Sequence, residues 1–197
     1  MICLGFLASN NGTSMRAIMA AIQSGELDAR TGLVVSNRKD AGALAFARDR
    51  GAPTLFIPTL PDPDVADARL AQALVGAEVE LVVLSGYLRK LGPKTLAAFR
   101  NRILNIHPAR LPDFGGQGMY GRRVHEAVLA AGVTHTGATV HLVDEEYDQG
   151  PVIAQTSVSL EPGDTAESIE RRVMAAEPAL FVDTLRRIAG GELRLPD

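Results

Sequence analysis

Short apolar runs alternate with amphipathic segments along the first half of the chain, and this alternation restricts the fold more than any other feature of the sequence. Runs rich in aliphatic residues predict strands at residues 2–8, 33–36, 53–57, 80–84 and 102–106. Helices are predicted between them, at residues 13–24, 40–50, 62–75 and 94–99. Strands that alternate with helices form βαβ units. The pattern therefore predicts an α/β fold with a doubly wound, mostly parallel open sheet and helices on both faces.

The pattern changes after residue 106. Residues 108–121 are rich in Gly and Pro and predict a long loop, which is usually functional in a compact domain. A helix at 124–131, two strands at 137–143 and 152–160 joined by an acidic turn, and a terminal helix at 165–188 complete the prediction. Because no repeat or linker interrupts the chain, we expect a single domain, with a nucleotide-fold half at 1–106 and an extension at 107–197.

Composition excludes several classes of protein. With 197 residues, of which 46% are hydrophobic, the chain can bury a core without disulfide or metal staples. Lysine and arginine number 20 against 23 acidic residues, a balance that disfavours nucleic-acid binding. A single cysteine, Cys3, suits a reducing compartment. The apolar runs are too short to span a bilayer, and the sequence opens without a secretory leader, so a cytoplasmic location is expected.

The junction between the first strand and the first helix is a candidate phosphate site. Gly12, Thr13 and Ser14 lie where helix N–H groups and the positive end of the helix dipole attract anions. An ordinary helix N-cap is the alternative interpretation. A literal G-x-G-x-x-G occurs elsewhere, within residues 116–121, but it does not directly follow a predicted strand. We therefore interpret those glycines as part of a flexible substrate loop or lid.

Asn105 and His107 end a predicted strand, at the edge where open α/β sheets bind ligands. Strand alternation directs both side chains to the same side. Asp148 closes the acidic turn, and if the turn folds back, its charge is expected to raise the pKa of His107. The alternatives are a structural histidine and a solvated acidic loop. The remaining histidines lack metal-ligand spacing, so no metal site is predicted.

Six short motifs occur in the order found in the phosphoribosylglycinamide formyltransferase family, which the chain resembles from residue 2 to about 193. They are Gly12-Thr13-Ser14, Ser36-Asn37-Arg38, Ser85-Gly86-Tyr87-Leu88-Arg89, Asn105-Ile106-His107-Pro108, Gly137-Ala138-Thr139-Val140-His141 and Asp148-Gln149-Gly150-Pro151. The resemblance implies transfer of a formyl group from 10-formyltetrahydrofolate to the amine of 5-phosphoribosylglycinamide, in purine biosynthesis. It implies no metal and no covalent enzyme intermediate.

The resemblance also implies roles for individual residues. Asn105, His107 and Asp148 would be catalytic. Substrate binding would fall to Gly12, Thr13 and Ser14 at the phosphate and to Glu177 at the amine end. The pterin would lie along Leu88, Arg89, Lys90, Leu91, Asn105, Asp144, Glu145, Glu146, Tyr147 and Asp148.

The sequence departs from the family pattern at several positions. Asn10 and Ser14 stand where the family commonly has glycine and asparagine, Pro178 follows Glu177 in place of a frequent histidine, and no arginine occurs near position 63. Two other functions stay open. A formyltetrahydrofolate deformylase would carry an N-terminal regulatory domain and a second histidine where Pro108 stands. A noncatalytic nucleotide-binding module of the doubly wound type is the other. The expected partners are small molecules, without nucleic acid or membrane, and the expected state is a monomer or homodimer.

Overall fold

Seven strands form one sheet in the computed structural model, which describes residues 1–197. The strands are β1 (Ile2–Leu7), β2 (Ala29–Ser36), β3 (Thr54–Phe56), β4 (Leu81–Leu84), β5 (Ile103–His107), β6 (His135–Leu142) and β7 (Val152–Ser159). Their order across the sheet is β3-β2-β1-β4-β5-β6-β7. The first five pair in parallel, whereas β6 is antiparallel to both β5 and β7.

Six helices connect or follow these strands: α1 (Thr13–Ser24), α2 (Gly42–Arg48), α3 (Pro63–Gly76), α4 (Pro93–Ala98), α5 (Arg122–Ala130) and α6 (Ala166–Ala189). One apolar core joins α1, α2 and α6 to the sheet, and another joins α3 to it. Alternate residues of β1 divide between these cores, since Leu4 and Phe6 enter the first while Cys3 and Leu7 enter the second. The predicted doubly wound α/β fold with helices on both faces is therefore confirmed. None of the helices combines the length and apolarity needed to cross a bilayer.

Strand β2 differs most from its predicted bounds. It begins at Ala29 rather than at residue 33, because Ala29 and Arg30 pair with Ile2 and Cys3 of β1. Residues 30–32 of this part are not aliphatic, so no apolar run marks it, and a register shift between Leu4 and Gly5 separates its pairing from the rest of the ladder. Pairing with β7 likewise starts β6 at His135, earlier than predicted.

The order of the strands creates a crevice between the carboxyl ends of β1 and β4, because the chain runs outward from β1 in one direction and from β4 in the other. Hydrogen bonds hold the loops after these two strands together. The Met15 N–H donates to the Ser85 hydroxyl over 3.0 Å, and the Leu88 N–H donates to the Ser9 hydroxyl over 2.8 Å. The crevice is therefore built before any ligand arrives.

Candidate active site

Asn105 and His107 of β5 lie on the same face of the sheet, as strand alternation predicts. The antiparallel partner β6 places His141 opposite Asn105 and Thr139 opposite His107 on that face. The Asn105 Nδ2 lies 3.0 Å from the His141 Nε2. Pairing of β5 with β6 thus brings an amide and two imidazoles together at one edge of the sheet.

Asp148 joins this cluster because the turn after β6 folds back over it. Its Oδ2 lies 3.4 Å from the His107 Nδ1, and its Oδ1 lies 3.5 Å from the His141 Nε2. Asp148 has a positive φ of 58°, a conformation that aspartate tolerates better than most residues. Gly150 allows the fold-back, since a Cβ there would overlap the Leu142 carbonyl. The predicted meeting of Asn105, His107 and Asp148 is confirmed, while their catalytic roles stay predictions.

The loop between β5 and α5 covers His107, whose exposed fraction is 3%. The His107 Nε2–H donates to the Phe114 carbonyl over 2.7 Å, because a carbonyl can only accept. The Gly116 N–H donates to the Asp148 Oδ2 over 3.0 Å. With Nε2 engaged by the loop, the Nδ1 of His107 is the atom that faces Asp148 and that can gain or lose a proton.

Burial lowers the pKa of His107, and this effect outweighs the raising effects of the Asp148 charge and the Phe114 acceptor. The expectation of a raised pKa for His107 is therefore wrong in its net direction, although the Asp148 effect has the expected sign. Burial raises the pKa of Asp148, but the hydrogen bond to His141, the charge of His107 and the Gly116 N–H together lower it below its ordinary value. The lowered pKa of Asp148 favours its ionised form, and the lowered pKa of His107 favours its neutral form.

His141 also belongs to this cluster, although it was not among the predicted site residues. Its Nδ1 donates to the Leu142 carbonyl over 2.9 Å, and its Nε2 lies 3.0 Å from the Asn105 Nδ2 and 3.5 Å from the Asp148 Oδ1. His141 is 2% exposed and shares a face of β6 with Thr139. The available signal was alternation within β6, combined with antiparallel pairing to β5. None of the groups of acidic, histidine and cysteine side chains is arranged to hold a metal ion.

The candidate phosphate loop lies at the N-terminus of α1. Gly12 is its N-cap and has a positive φ of 63°, which favours glycine. No protein acceptor contacts the N–H groups of Thr13 and Ser14, whereas the next N–H is taken by Ser85. Thr13 is exposed and Ser14 is only 3% exposed. The helix terminus therefore presents free donors to solvent, with the Thr13 side chain beside them.

All of the clustered side chains except that of His107 line a cleft of about 110 Å³. Its walls are the 84–91 loop on one side and the acidic turn on the other, including Asn105, His141 and Asp148. The Lys90 ammonium lies 5.4 Å from the centre of the Tyr147 ring across the cleft, within the range of a cation–π contact. Of the residues predicted to contact a pterin, only Leu88 is absent from the lining, and it is 62% exposed.

A larger hollow of about 200 Å³ continues from this cleft and shares Tyr87, Arg89, Lys90 and Leu91 with it. Its outer wall comes from the start of α3, where Asp64 and Asp67 contribute carboxylates. The two hollows together join the cluster of Asn105, His141 and Asp148 to a region of mixed charge.

No hydrogen bond joins Glu177 to the cluster of Asn105, His107, His141 and Asp148. It is half-buried on α6, in a helical row with the buried residues Val173 and Phe181, and no hydrogen bond or ion pair contacts it. Burial raises the pKa of Glu177 to about 7. The structure does not bring Glu177 into contact with Asn105, His107 or Asp148, so its place at the amine end stays a prediction.

Replacing Glu177 with glutamine is expected to stabilise the chain at alkaline pH. The unfolded carboxyl ionises near 4.5 and the folded one near 7, so the wild type loses stability as pH rises between these values. At pH 8 the variant should be more stable by on the order of 1–2 kcal/mol, after allowance for screening, and the difference should vanish near pH 4. Urea unfolding at both pH values checks this. Glu167→Gln, an exposed change on the same helix, should leave no such pH-dependent gain; equal curves for Glu177→Gln would contradict the prediction.

Comparison with known proteins agrees with this architecture. The formyl transferase family matches residues 4–185. A chloroplastic phosphoribosylglycinamide formyltransferase of Arabidopsis thaliana is 38% identical over 94% of this chain, but the chain spans only 64% of that relative. Glycinamide ribonucleotide transformylase 1 of Symbiobacterium toebii has a TM-score of 0.89 and 36% identity, covering 100% of this chain and 95% of that one.

A formyltetrahydrofolate deformylase of Pseudomonas syringae has a TM-score of 0.86 at 25% identity, covering 100% of this chain and 64% of that one. The same fold thus occurs in proteins named for two reactions of a formyl group. The family match spans most of the sheet and includes the strand and the turn that carry Asn105, His107 and Asp148. The resemblance inferred from the six motifs is confirmed, and the chain belongs to the formyl transferase family.

Proposed function

We propose that the chain transfers the formyl group of 10-formyltetrahydrofolate to the amine of 5-phosphoribosylglycinamide, a step of purine biosynthesis. The observation that carries the proposal is the meeting of Asn105, His107 and Asp148 at the edge of the sheet beside the crevice. Family membership and the names of the Arabidopsis and Symbiobacterium relatives support it.

The cluster suits this chemistry. Attack of the amine on the formyl carbon forms a C–N bond and a tetrahedral oxyanion, whose collapse breaks the bond to the folate nitrogen. The Asn105 amide would donate to the oxyanion, and so would the Nδ1 of His107 once that ring has gained a proton, each contributing about 2–4 kcal/mol. The proton leaves the attacking amine and reaches the departing folate nitrogen. Asp148, ionised beside His107, would guide that proton, directly or through one water.

The folate would occupy the cleft and its continuation. Arg89, Lys90 and Leu91 line both hollows, and Asp144, Glu145, Glu146 and Tyr147 form the opposite wall of the inner one. These residues fit a flat polar heterocycle, because the wall combines acceptors, an aromatic ring and cations. We place Leu88 at the mouth of the cleft, where it is exposed. The mechanism uses no metal and no covalent bond to the protein.

The ribonucleotide phosphate would bind at Gly12, Thr13 and Ser14, where the N–H groups of Thr13 and Ser14 are free. Glu177 would contact the amine end of the same substrate. We further propose a cytoplasmic enzyme, monomeric or homodimeric, whose partners are its two small substrates.

Thr13→Glu is expected to weaken ribonucleotide binding while leaving the fold intact. A carboxylate in the first turn of a helix is favourable for the helix, but here it would repel the phosphate at the same N–H groups. The KM for the ribonucleotide should rise about tenfold or more, with the KM for the folate unchanged. Steady-state kinetics measures both constants. Thr13→Gln is the uncharged control, and an unchanged ribonucleotide KM in Thr13→Glu would refute the phosphate site.

The reaction itself is tested by mixing the chain with 10-formyltetrahydrofolate, with and without the ribonucleotide, and following the folate absorbance. Turnover that requires the ribonucleotide and yields its formylated product is expected. Loss of formyl to water without the ribonucleotide would instead assign a deformylase. Binding of the nucleotide without turnover would assign a noncatalytic module.

A further inference from the structure

Gln155 lies on the edge strand β7, outside the cleft, yet its side chain contacts the loop that covers His107. Its Nε2 donates to the Leu111 carbonyl over 2.9 Å and lies 3.0 Å from the Thr139 hydroxyl. We propose that Gln155 is a positioning residue, which fixes the 108–121 loop so that the Phe114 carbonyl stays on His107. The kinetic consequence of this inference rests on the proposed function, but its structural content does not.

The contacts of Thr139 and Gln155 with residues 109 and 111 form what we call the loop anchor, and the register of the sheet makes them possible. Thr139 of β6 pairs with His107 on one side and with Gln155 on the other, so the three side chains cross β5, β6 and β7 at one level. The Thr139 hydroxyl donates to the Ala109 carbonyl over 2.7 Å and accepts from the Leu111 N–H over 3.1 Å. Gln155 completes this contact by taking the Leu111 carbonyl. Both backbone polar groups of Leu111 are therefore held by the β6–β7 hairpin.

The Leu111 side chain packs against the middle of the loop, so the anchor also restricts the position of that part. Leu111 is 6% exposed, and its side chain lies against Gly115, where a Cβ would overlap the Leu111 Cδ2. The same Cβ position lies 3.0 Å from the Asp148 Cβ. The side chains of Leu111 and Asp148 thus both pack closely against Gly115. It lies between the Phe114 carbonyl, which binds His107, and the Gly116 N–H, which binds Asp148.

The state of His107 reports on this arrangement. The Phe114 acceptor raises the pKa of His107 and fixes its proton on Nε2, whereas burial and the charge of His141 lower that pKa, and Asp148 raises it. The charges of His107 and His125 also disfavour each other across the loop. If the loop loses its anchor at Leu111, the Phe114 carbonyl no longer stays on Nε2 and the loop no longer buries the ring, while His141 keeps its place on β6.

The experiment compares Gln155→Leu and Gln155→Met with Ser157→Ala, which changes an exposed residue on the same strand. Leucine and methionine keep most of the volume and remove the donor, so one of them serves if the other fails to fold. The probe is the NMR titration of the His107 ring in the whole chain. We expect the midpoint to shift by about 0.5 pH unit or more in both Gln155 variants, because the loop both buries His107 and supplies the Phe114 acceptor. Ser157→Ala should match the wild type, and unchanged titration in the Gln155 variants would overturn the inference.

Kinetics supplies the second measurement. In a chain that transfers the formyl group, kcat should fall about tenfold in the Gln155 variants, while both KM values change less than about twofold. If the wild type does not transfer the formyl group but the His107 titration still shifts in the Gln155 variants, the proposed function is refuted and the positioning role stands. If the wild type transfers the formyl group but the Gln155 variants have the same His107 titration and the same kcat, the proposed function stands and the positioning role is refuted.

Discussion

His107→Ala is expected to lower kcat for formyl transfer at least about a hundredfold, because it removes both the imidazolium donor and the proton-exchanging Nδ1. The Nδ1 faces the Asp148 carboxylate at 3.4 Å, and no other ring nitrogen of the chain faces its Oδ2. The Nε2 of His141 faces the other carboxylate oxygen, Oδ1, at 3.5 Å and also contacts the Asn105 amide. Stopped-flow or steady-state absorbance of the folate measures the loss.

The fold should survive this substitution. Alanine leaves the Phe114 carbonyl without its donor and opens a small cavity under the loop, which together should reduce the free energy of unfolding by about 1–3 kcal/mol. Circular dichroism and urea unfolding separate that effect from catalysis. His135→Ala, at an exposed histidine of β6, is the matched control and should retain wild-type turnover. A near-normal rate in His107→Ala would remove the catalytic assignment.

Asp148→Asn is expected to have a loss of similar size, at least about a hundredfold in kcat. Asparagine keeps the shape and can still accept from the Gly116 N–H, so the turn should stay in place. What disappears is the negative charge beside His107, and with it the main influence that raises the pKa of that ring.

In Asp148→Asn, the direction in which kcat changes with pH should distinguish loss of the charge from a purely structural defect. Without the carboxylate, the pKa of His107 falls further below its ordinary value, so the imidazolium forms only at lower pH. Residual kcat should therefore increase as the pH is lowered, over a range in which the wild type is already levelling. Asp113→Asn, an exposed change in the neighbouring loop, is the control. Wild-type turnover, or a profile shifted to higher pH, would contradict the role given to Asp148.

The parallel part of the sheet was predictable because each strand there is a short apolar run, and each helix shows its own periodicity. Asn105 and His107 were recognisable for the same reason, since alternation within one strand is a local property. Asp148 required a family resemblance, because the fold-back of the turn depends on Gly150 approaching the Leu142 carbonyl, a contact between positions that composition does not link.

Three features of the site had no local signal. His141 enters it through antiparallel pairing of β6 with β5, which is a choice among distant partners. The Phe114 group that binds His107 is a backbone carbonyl, which every residue possesses. The direction of the His107 pKa was mispredicted because a neighbouring charge can be inferred from sequence, whereas the degree of burial is set by the whole fold.

The pairing of β6 between β5 and β7 limits how the gene for such a chain can change in length. One codon inserted in β6 before Thr139 would turn Thr139 and His141 onto the opposite face of the sheet, which would disrupt both the side-chain cluster and the contacts that hold Leu111. Insertions and deletions in this half of the chain are therefore tolerable only outside the three paired strands, and mainly in surface loops that touch neither the cluster nor its anchor.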